Sequence, residues 1–160
     1  GAPKAPKQFR NVDAYQYGFD LMLGVILTPE FSFRADGSYI YAWNLSLDEP
    51  LAQVAPPMAH LELKYNKNTY WASLRSEMVA KQKHYAPSFG ETATPGHVKW
   101  DLRAGWIPNE HWSLGAAMLN MFNATYYNHL NFAFKNADDL NGRRIYEPGR
   151  SFSFYIKYKF

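Results

Sequence analysis

Along almost the whole of this 160-residue chain, apolar side chains recur at every second position. The stretch YEPGRSFSFYIKYKF shows the pattern in its plainest form. Phe152, Phe154, Ile156, Tyr158 and Phe160 share one face, and Ser151, Ser153, Tyr155, Lys157 and Lys159 share the other. A period of two is the spacing of a β-strand with unlike faces, and helical spacing is scarce. The feature therefore predicts an all-β chain, with one face of its sheet greasy enough to need an apolar cover.

The same reading predicts seven strands, over about 8–27, 31–46, 58–66, 69–85, 97–107, 111–123 and 149–160, with a loop at 1–7. Connections between them alternate short and long. Short turns contain TPE, NKN and PNE, and long loops contain LDEPLAQVAPP, APSFGETATPG and the stretch from about Ala124 to Pro148. In the expected phase, Asp20, Arg34, Asp36, Glu62, Lys64, Arg75, Glu77, Lys99, Asp101 and Arg103 share one face, opposite the apolar residues. Short turns at one end, long loops at the other and a face almost free of charge are the marks of an outer-membrane barrel. There, an Arg or Lys turned to lipid at mid-depth costs about 2–4 kcal/mol. A soluble β-sandwich would use the same alternation with its greasy face inward.

Composition narrows this further. Aromatic residues make up 18% of the chain, and Tyr and Trp suit a boundary between apolar and wet surroundings. The net charge of +3 comes without a basic run, so no nucleic-acid partner is expected. With no cysteine there can be no disulfide or thiolate metal site, and no stretch reaches the 18 apolar residues of a spanning helix. Neither a nucleophile–base arrangement nor a carboxylate dyad stands out, so no enzyme, no catalytic residue and no cofactor are expected. His60, His84, His97, His111 and His129 lack short metal-binding spacing, and no metal site is assigned.

Seven is an odd number. In an antiparallel meander the first and seventh strands point the same way and cannot close on each other as a regular antiparallel barrel. The expectation is thus part of something larger, or a small free-standing barrel with an eighth strand.

Several motifs, in order, resemble TonB-dependent outer-membrane receptors. TPGHVKWDLRAGW is similar to that family's loop-to-strand step. HWSLGAAMLNMFNATYYNHL is similar to its Trp-led strand followed by Asn-Leu-Phe-Asn, with Met121 in place of Leu. The closing segment resembles its Pro-Gly-Arg strand with a terminal Phe, and upstream NVDAYQYGFDLML and DEPLAQVAPPMAHLELKY fit the same order. The resemblance implies an antiparallel up-and-down transmembrane β-barrel segment, the last seven strands of a roughly 22-stranded barrel with a plugged lumen. It implies import of a scarce nutrient such as an iron chelate, haem, cobalamin or a metal, in the bacterial outer membrane. Its partners would be the remaining N-terminal barrel and plug, which this chain lacks, then TonB through that plug, outer-membrane lipid and the barrel-assembly machinery. Phe152, Phe154, Ile156, Tyr158 and Phe160 would form the assembly signal. Trp71, whose phase points inward, and His129, Asn131, Arg143 and Arg144 in or near the longest loop are the candidate ligand-binding residues. A free-standing structural barrel and a soluble β-sandwich binding module are the alternatives.

Overall fold

The computed structural model describes residues 11–131 and 144–160. Its principal strands are β1 (Ala14–Ile26), β2 (Phe31–Asn44), β4 (Met58–Lys67), β5 (Tyr70–Val79), β6 (His97–Trp106), β7 (Trp112–Leu119) and β8 (Ser151–Tyr158), with a two-residue strand β3 (Glu49–Pro50). They form one sheet in the order β1-β2-β4-β5-β6-β7-β8, and β3 pairs with the end of β2. Every pairing is antiparallel.

This corrects the expected barrel. β1 and β8 lie at opposite edges of the sheet and do not pair, so the sheet is open and a single layer. The parity of the strands supplies the reason, because the two outermost of seven antiparallel strands run in the same direction. Neither a closed transmembrane barrel segment nor a two-layer sandwich is what these residues form. No described helix is long and apolar enough to cross a membrane, which leaves strands undecided.

The registers assemble the alternating residues into rows. Val25, Phe33, Leu63, Leu74, Leu102, Met118 and Phe152 form one unbroken apolar row across all seven strands. On the opposite face, Arg34, Glu62, Arg75 and Asp101 alternate in sign across four strands. Opposite charges on directly paired residues stabilise a sheet by roughly 0.2–1 kcal/mol per pair. Burial is inverted relative to an ordinary core. Among the described residues, the buried hydrophobics are only Ala42, Ala86 and Tyr126, whereas Asn44, Ser73, Ser76, Gln82, Thr94, Asp101, Asn120 and His129 are buried polar ones. Leu21 is 66% exposed and Phe154 79% exposed, so the apolar face of this chain alone has no cover.

Two glycines explain how a bulky indole fits on the polar face. Gly105 lies directly opposite both Trp71 and Gly115, and Gly115 lies opposite Tyr155. A Cβ at Gly105 would collide with the Trp71 indole, and one at Gly115 with the Tyr155 ring. Gly105→Val should therefore displace the Trp71 ring, at an overpacking cost of about 1–3 kcal/mol. A red shift of tryptophan emission, absent in the Trp71→Phe background, would report it.

Candidate functional site

All three long connections lie at one end of the sheet, and the short turns at 27–30, 68–69 and 107–111 lie at the other. The loops at the first end are knitted to each other by side chains. Gln53 N–H donates to Glu91 Oε1 at 2.7 Å, and Ala86 N–H donates to Glu91 Oε2 at 2.9 Å. Ser88 donates its hydroxyl to the Glu49 carboxylate. Gln82 and Thr94 form a backbone bridge, and the Gln82 amide donates to the Val54 carbonyl at 2.9 Å.

Asn120 anchors the third loop. It sits just past β7 with a φ of 49°, a left-handed conformation that Asn tolerates better than most residues. Its Oδ1 accepts from Ala124 N–H at 2.8 Å, and its Nδ2 donates to the carbonyls of Ala124 at 2.8 Å and Pro148 at 3.3 Å. Asn123, with φ 55°, accepts from Arg150 N–H at 2.9 Å. The Asn-Met-Phe-Asn motif thus ties the loop's exit from β7 to its return into β8.

His129 is buried beneath this loop, with its side chain 1% exposed. Its Nδ1 lies 3.2 Å from Thr94 Oγ1, while its Nε2 has no hydrogen-bond partner and stands 4.0 Å from Glu91 Oε2. Burial lowers the proton affinity of the imidazole below its ordinary value; Glu91 opposes this and Arg144 adds to it. The sign of the pH effect follows. The unfolded histidine takes up a proton near pH 6.5 while the folded one does not, so stability falls as pH drops through that value, down to the lowered folded pKa. Amides of residues 124–131 should lose hydrogen-exchange protection on going from pH 7.5 to 5.5, after correction for intrinsic rates, and His129→Gln should flatten that dependence.

The candidate residues read from the sequence divide. Asn131 and Asn128 both donate to Glu147 Oε1, at 2.8 and 2.9 Å. Arg144 donates to the carbonyls of His129 and Asn131 and to Thr92, and its guanidinium lies 5.2 Å from the centre of the Tyr127 ring. The structure brings His129, Asn131 and Arg144 together, and the Arg144 charge is engaged in closing the loop. Trp71 stands apart, at the short-turn end of β5 on the polar face. Arg143 lies outside the described residues. Phe152, Phe154, Ile156 and Tyr158 line the apolar side of β8, an edge strand.

Sequence reasoning did not single out Glu77 or Tyr126. Glu77 Oε2 is 3.5 Å from His60 Nε2 and 3.5 Å from Lys99 Nζ, and Glu77 Oε1 is 3.8 Å from His97 Nε2. Asp36 holds the other His60 nitrogen at 2.7 Å. Tyr126 stacks on His97 with centroids 4.1 Å apart, and neither ring nitrogen of His97 has a hydrogen-bond partner. In the sequence, Asp36, His60, Glu77 and Lys99 are scattered, and only the register places them in one row. A hollow of about 310 Å³ lies where Glu77, Met58 and Val79 meet the Asn128–Asn131 segment. Among the described residues, no group of three or more His, Asp or Glu is placed to hold a metal ion.

No family model and no curated protein matches the chain. Solved structures do. The chain is similar to a structure described as the copper transporter OprC, at 25% identity and a TM-score of 0.86, covering 94% of this chain and 24% of that one. It is also similar to the ferric yersiniabactin uptake receptor FyuA from Yersinia pestis (16% identity, TM-score 0.73, 92% and 24% covered). A third likeness is to a chain in the FpvAI–pyocin S2 complex (16% identity, TM-score 0.69, 92% and 20% covered).

These matches show a likeness of fold to structures described as a copper transporter and a ferric yersiniabactin uptake receptor. They correct the sequence reading in one respect: this chain's own sheet is open, so a transmembrane barrel wall of an active importer is not what it forms. The binding-module alternative fits better. The chain spans about a quarter or less of the length of each structure it resembles, which points to a larger partner domain. Two of these structures are described by a transport or uptake role, which fits association with a membrane.

Proposed function

We propose that this chain is a binding module, whose interlocked loops at one end of an open sheet receive a small polar ligand in the hollow between Glu77 and the Asn128–Asn131 segment. The observation that carries this reading is the asymmetry of the two ends. One end has only short turns, while at the other three long loops are pinned to each other by Glu91, Gln82 and Arg144, and Asn120 ties the third to itself. Ordering loops costs conformational entropy, and a binding surface ordered in advance spares the ligand that cost. His129 and Asn131 line the hollow, and Arg144 holds their backbone in place. Trp71 is left with a packing role.

The larger partner, in this reading, is the rest of a receptor, including the N-terminal barrel and plug through which TonB acts, in the bacterial outer membrane. The apolar face supports contact with outer-membrane lipid. Tyr15, Tyr17, Tyr41 and Trp43 gather at its loop end and Phe31, Tyr65, Tyr70, Trp106, Trp112 and Tyr158 at its turn end, with Leu21, Leu63, Leu74 and Leu102 between. Aromatic residues at the margins of an apolar face suit a boundary between apolar and wet surroundings. The β8 row that ends in Phe160 is retained as the signal for assembly machinery.

The cargoes named for two similar structures supply probes. Copper(II) ions and ferric yersiniabactin should be titrated separately into the full-length protein that carries this chain. Binding of one probe, weakened about tenfold by His129→Ala with Asn131→Ala, is the expected result, in line with about 1.4 kcal/mol from lost polar contacts. No binding of either, or binding indifferent to both substitutions, would remove the reading.

A further inference from the structure

A second cavity, of about 270 Å³, lies at the loop end of β2 and is separate from the hollow described above. It exists because β2 outruns its neighbour. The last β2–β4 pair is Ser38↔Met58, so residues 39–42 have no β4 partner, and Leu51 N–H reaches the Ala42 carbonyl at 3.1 Å. Tyr39, Tyr41, Leu51 and Val54 supply apolar wall, and the segment Lys81–His84 borders it.

That segment is held in place. Gln82 is 4% exposed, bridged to Thr94 on its backbone and bonded to the Val54 carbonyl through its amide, and its Oε1 accepts from His84 N–H at 3.2 Å. The His84 ring sits edge-on to Tyr41, with centroids 5.6 Å apart. Lys81 and Lys83 flank the fixed Gln82; both are exposed, both line the cavity, and neither makes an ion pair among the described residues. No lining residue is acidic. By contrast, Lys67 and Lys99 are neutralised by Glu30 and Glu77.

The cavity is also continuous with the apolar face. Tyr41 stacks on Tyr17 at 5.2 Å and Tyr39 packs against Phe19 at 5.7 Å, so its aromatic wall leads onto the row that continues to Leu21 and Leu23. Two uncompensated ammonium groups beside an apolar wall that opens onto an exposed apolar face are complementary to a molecule with an anionic head and a hydrocarbon chain. We infer that this cavity is a site for an anionic phospholipid, its phosphate held by Lys81 and Lys83 and an acyl chain laid along Tyr39, Tyr41 and Phe19. The volume is at the small end of ligand pockets, which fits a headgroup and the start of a chain better than a whole lipid. A lysine ammonium binds phosphate as a compact point charge, so the site selects for charge and not for headgroup shape.

This inference rests on the membrane association proposed above, and the test separates the two. The full-length protein is held in a non-ionic detergent and given dioleoylphosphatidylglycerol or dioleoylphosphatidylcholine, and bound lipid is counted by native mass spectrometry. The phosphatidylglycerol adduct should be preferred, and Lys81→Gln with Lys83→Gln should reduce that preference about tenfold, as expected for lost charge-assisted contacts. Lys157→Gln with Lys159→Gln, at the other end of the sheet, should leave it intact. Millimolar inorganic phosphate should not displace the lipid. An unchanged preference in the first double variant overturns the site, and so does displacement by phosphate, which would mark a simple anion site. Protein that floats with membranes but shows no headgroup preference overturns the lipid site and spares the membrane reading.

Discussion

Asn120→Ala should destabilise the loop end by about 3–5 kcal/mol. The side chain is buried and makes three hydrogen bonds, two to Ala124 and one to Pro148. Truncation leaves the Ala124 N–H and the two carbonyls without partners, at roughly 1–3 kcal/mol for each group that stays buried. It also places alanine at φ 49°, adding about 1 kcal/mol of backbone strain. Asn120→Gly relieves the strain but not the lost bonds, so it should fall between wild type and alanine. The effect should be local: the backbone bond from Asn120 N–H to Asp101 Oδ1 survives both changes, so β6 and β7 stay paired. Limited proteolysis checks this, with faster cleavage within 121–131 in the order wild type, glycine, alanine, and no new cut between 97 and 119. Cleavage spread evenly along the chain would show that Asn120 holds the sheet and not the loop.

That residue also shows where reading the sequence succeeds and where it stops. Strand faces were legible because they need only a period of two. Arg34, Glu62, Arg75 and Asp101 were placed on one face before any register was known, and the ladder then puts them in a single row. The placement of the long loops at one end follows from the same count. The odd strand count already said that the outer strands cannot close on each other, whereas alternation fixes only which way side chains point and leaves open what those edges meet. The site was legible only in part. His129, Asn131 and Arg144 stood out as polar residues near one loop, but the loop hides what each one does. Arg144 reads as a cation awaiting an anion, yet the fold gives its guanidinium to carbonyls and to Thr92. Glu77 gave no local signal, because its partners come from β4 and β6 and only strand pairing joins them. Lys81 and Lys83 gain meaning only from Gln82, whose burial depends on Val54 and Thr94 in other loops.

Leu21→Arg should have unequal effects in two settings, and the contrast bears on what covers the apolar face. Leu21 is 66% exposed in β1, an edge strand, and stands across from Gly37. In the chain alone its substitution removes little buried surface, so stability should change by no more than about 0.5 kcal/mol, as for an ordinary surface position. In the full-length protein the same face must be covered, because contiguous apolar patches of this extent are not left bare to water. There a guanidinium at Leu21 should cost about 2–4 kcal/mol if the cover is lipid, falling toward zero near an interface. Placing arginine in turn at Tyr15, Leu21 and Val25 samples the loop end, middle and turn end of the same strand face. A lipid cover predicts a maximum at Leu21 with small effects at both flanks, read from the fraction of protein recovered in the membrane. A protein partner predicts a cost that tracks contact at each position, with no symmetry about the middle. Equal tolerance at all three would mean that the face is bare in the full-length protein too, and the partner and membrane readings would fall together.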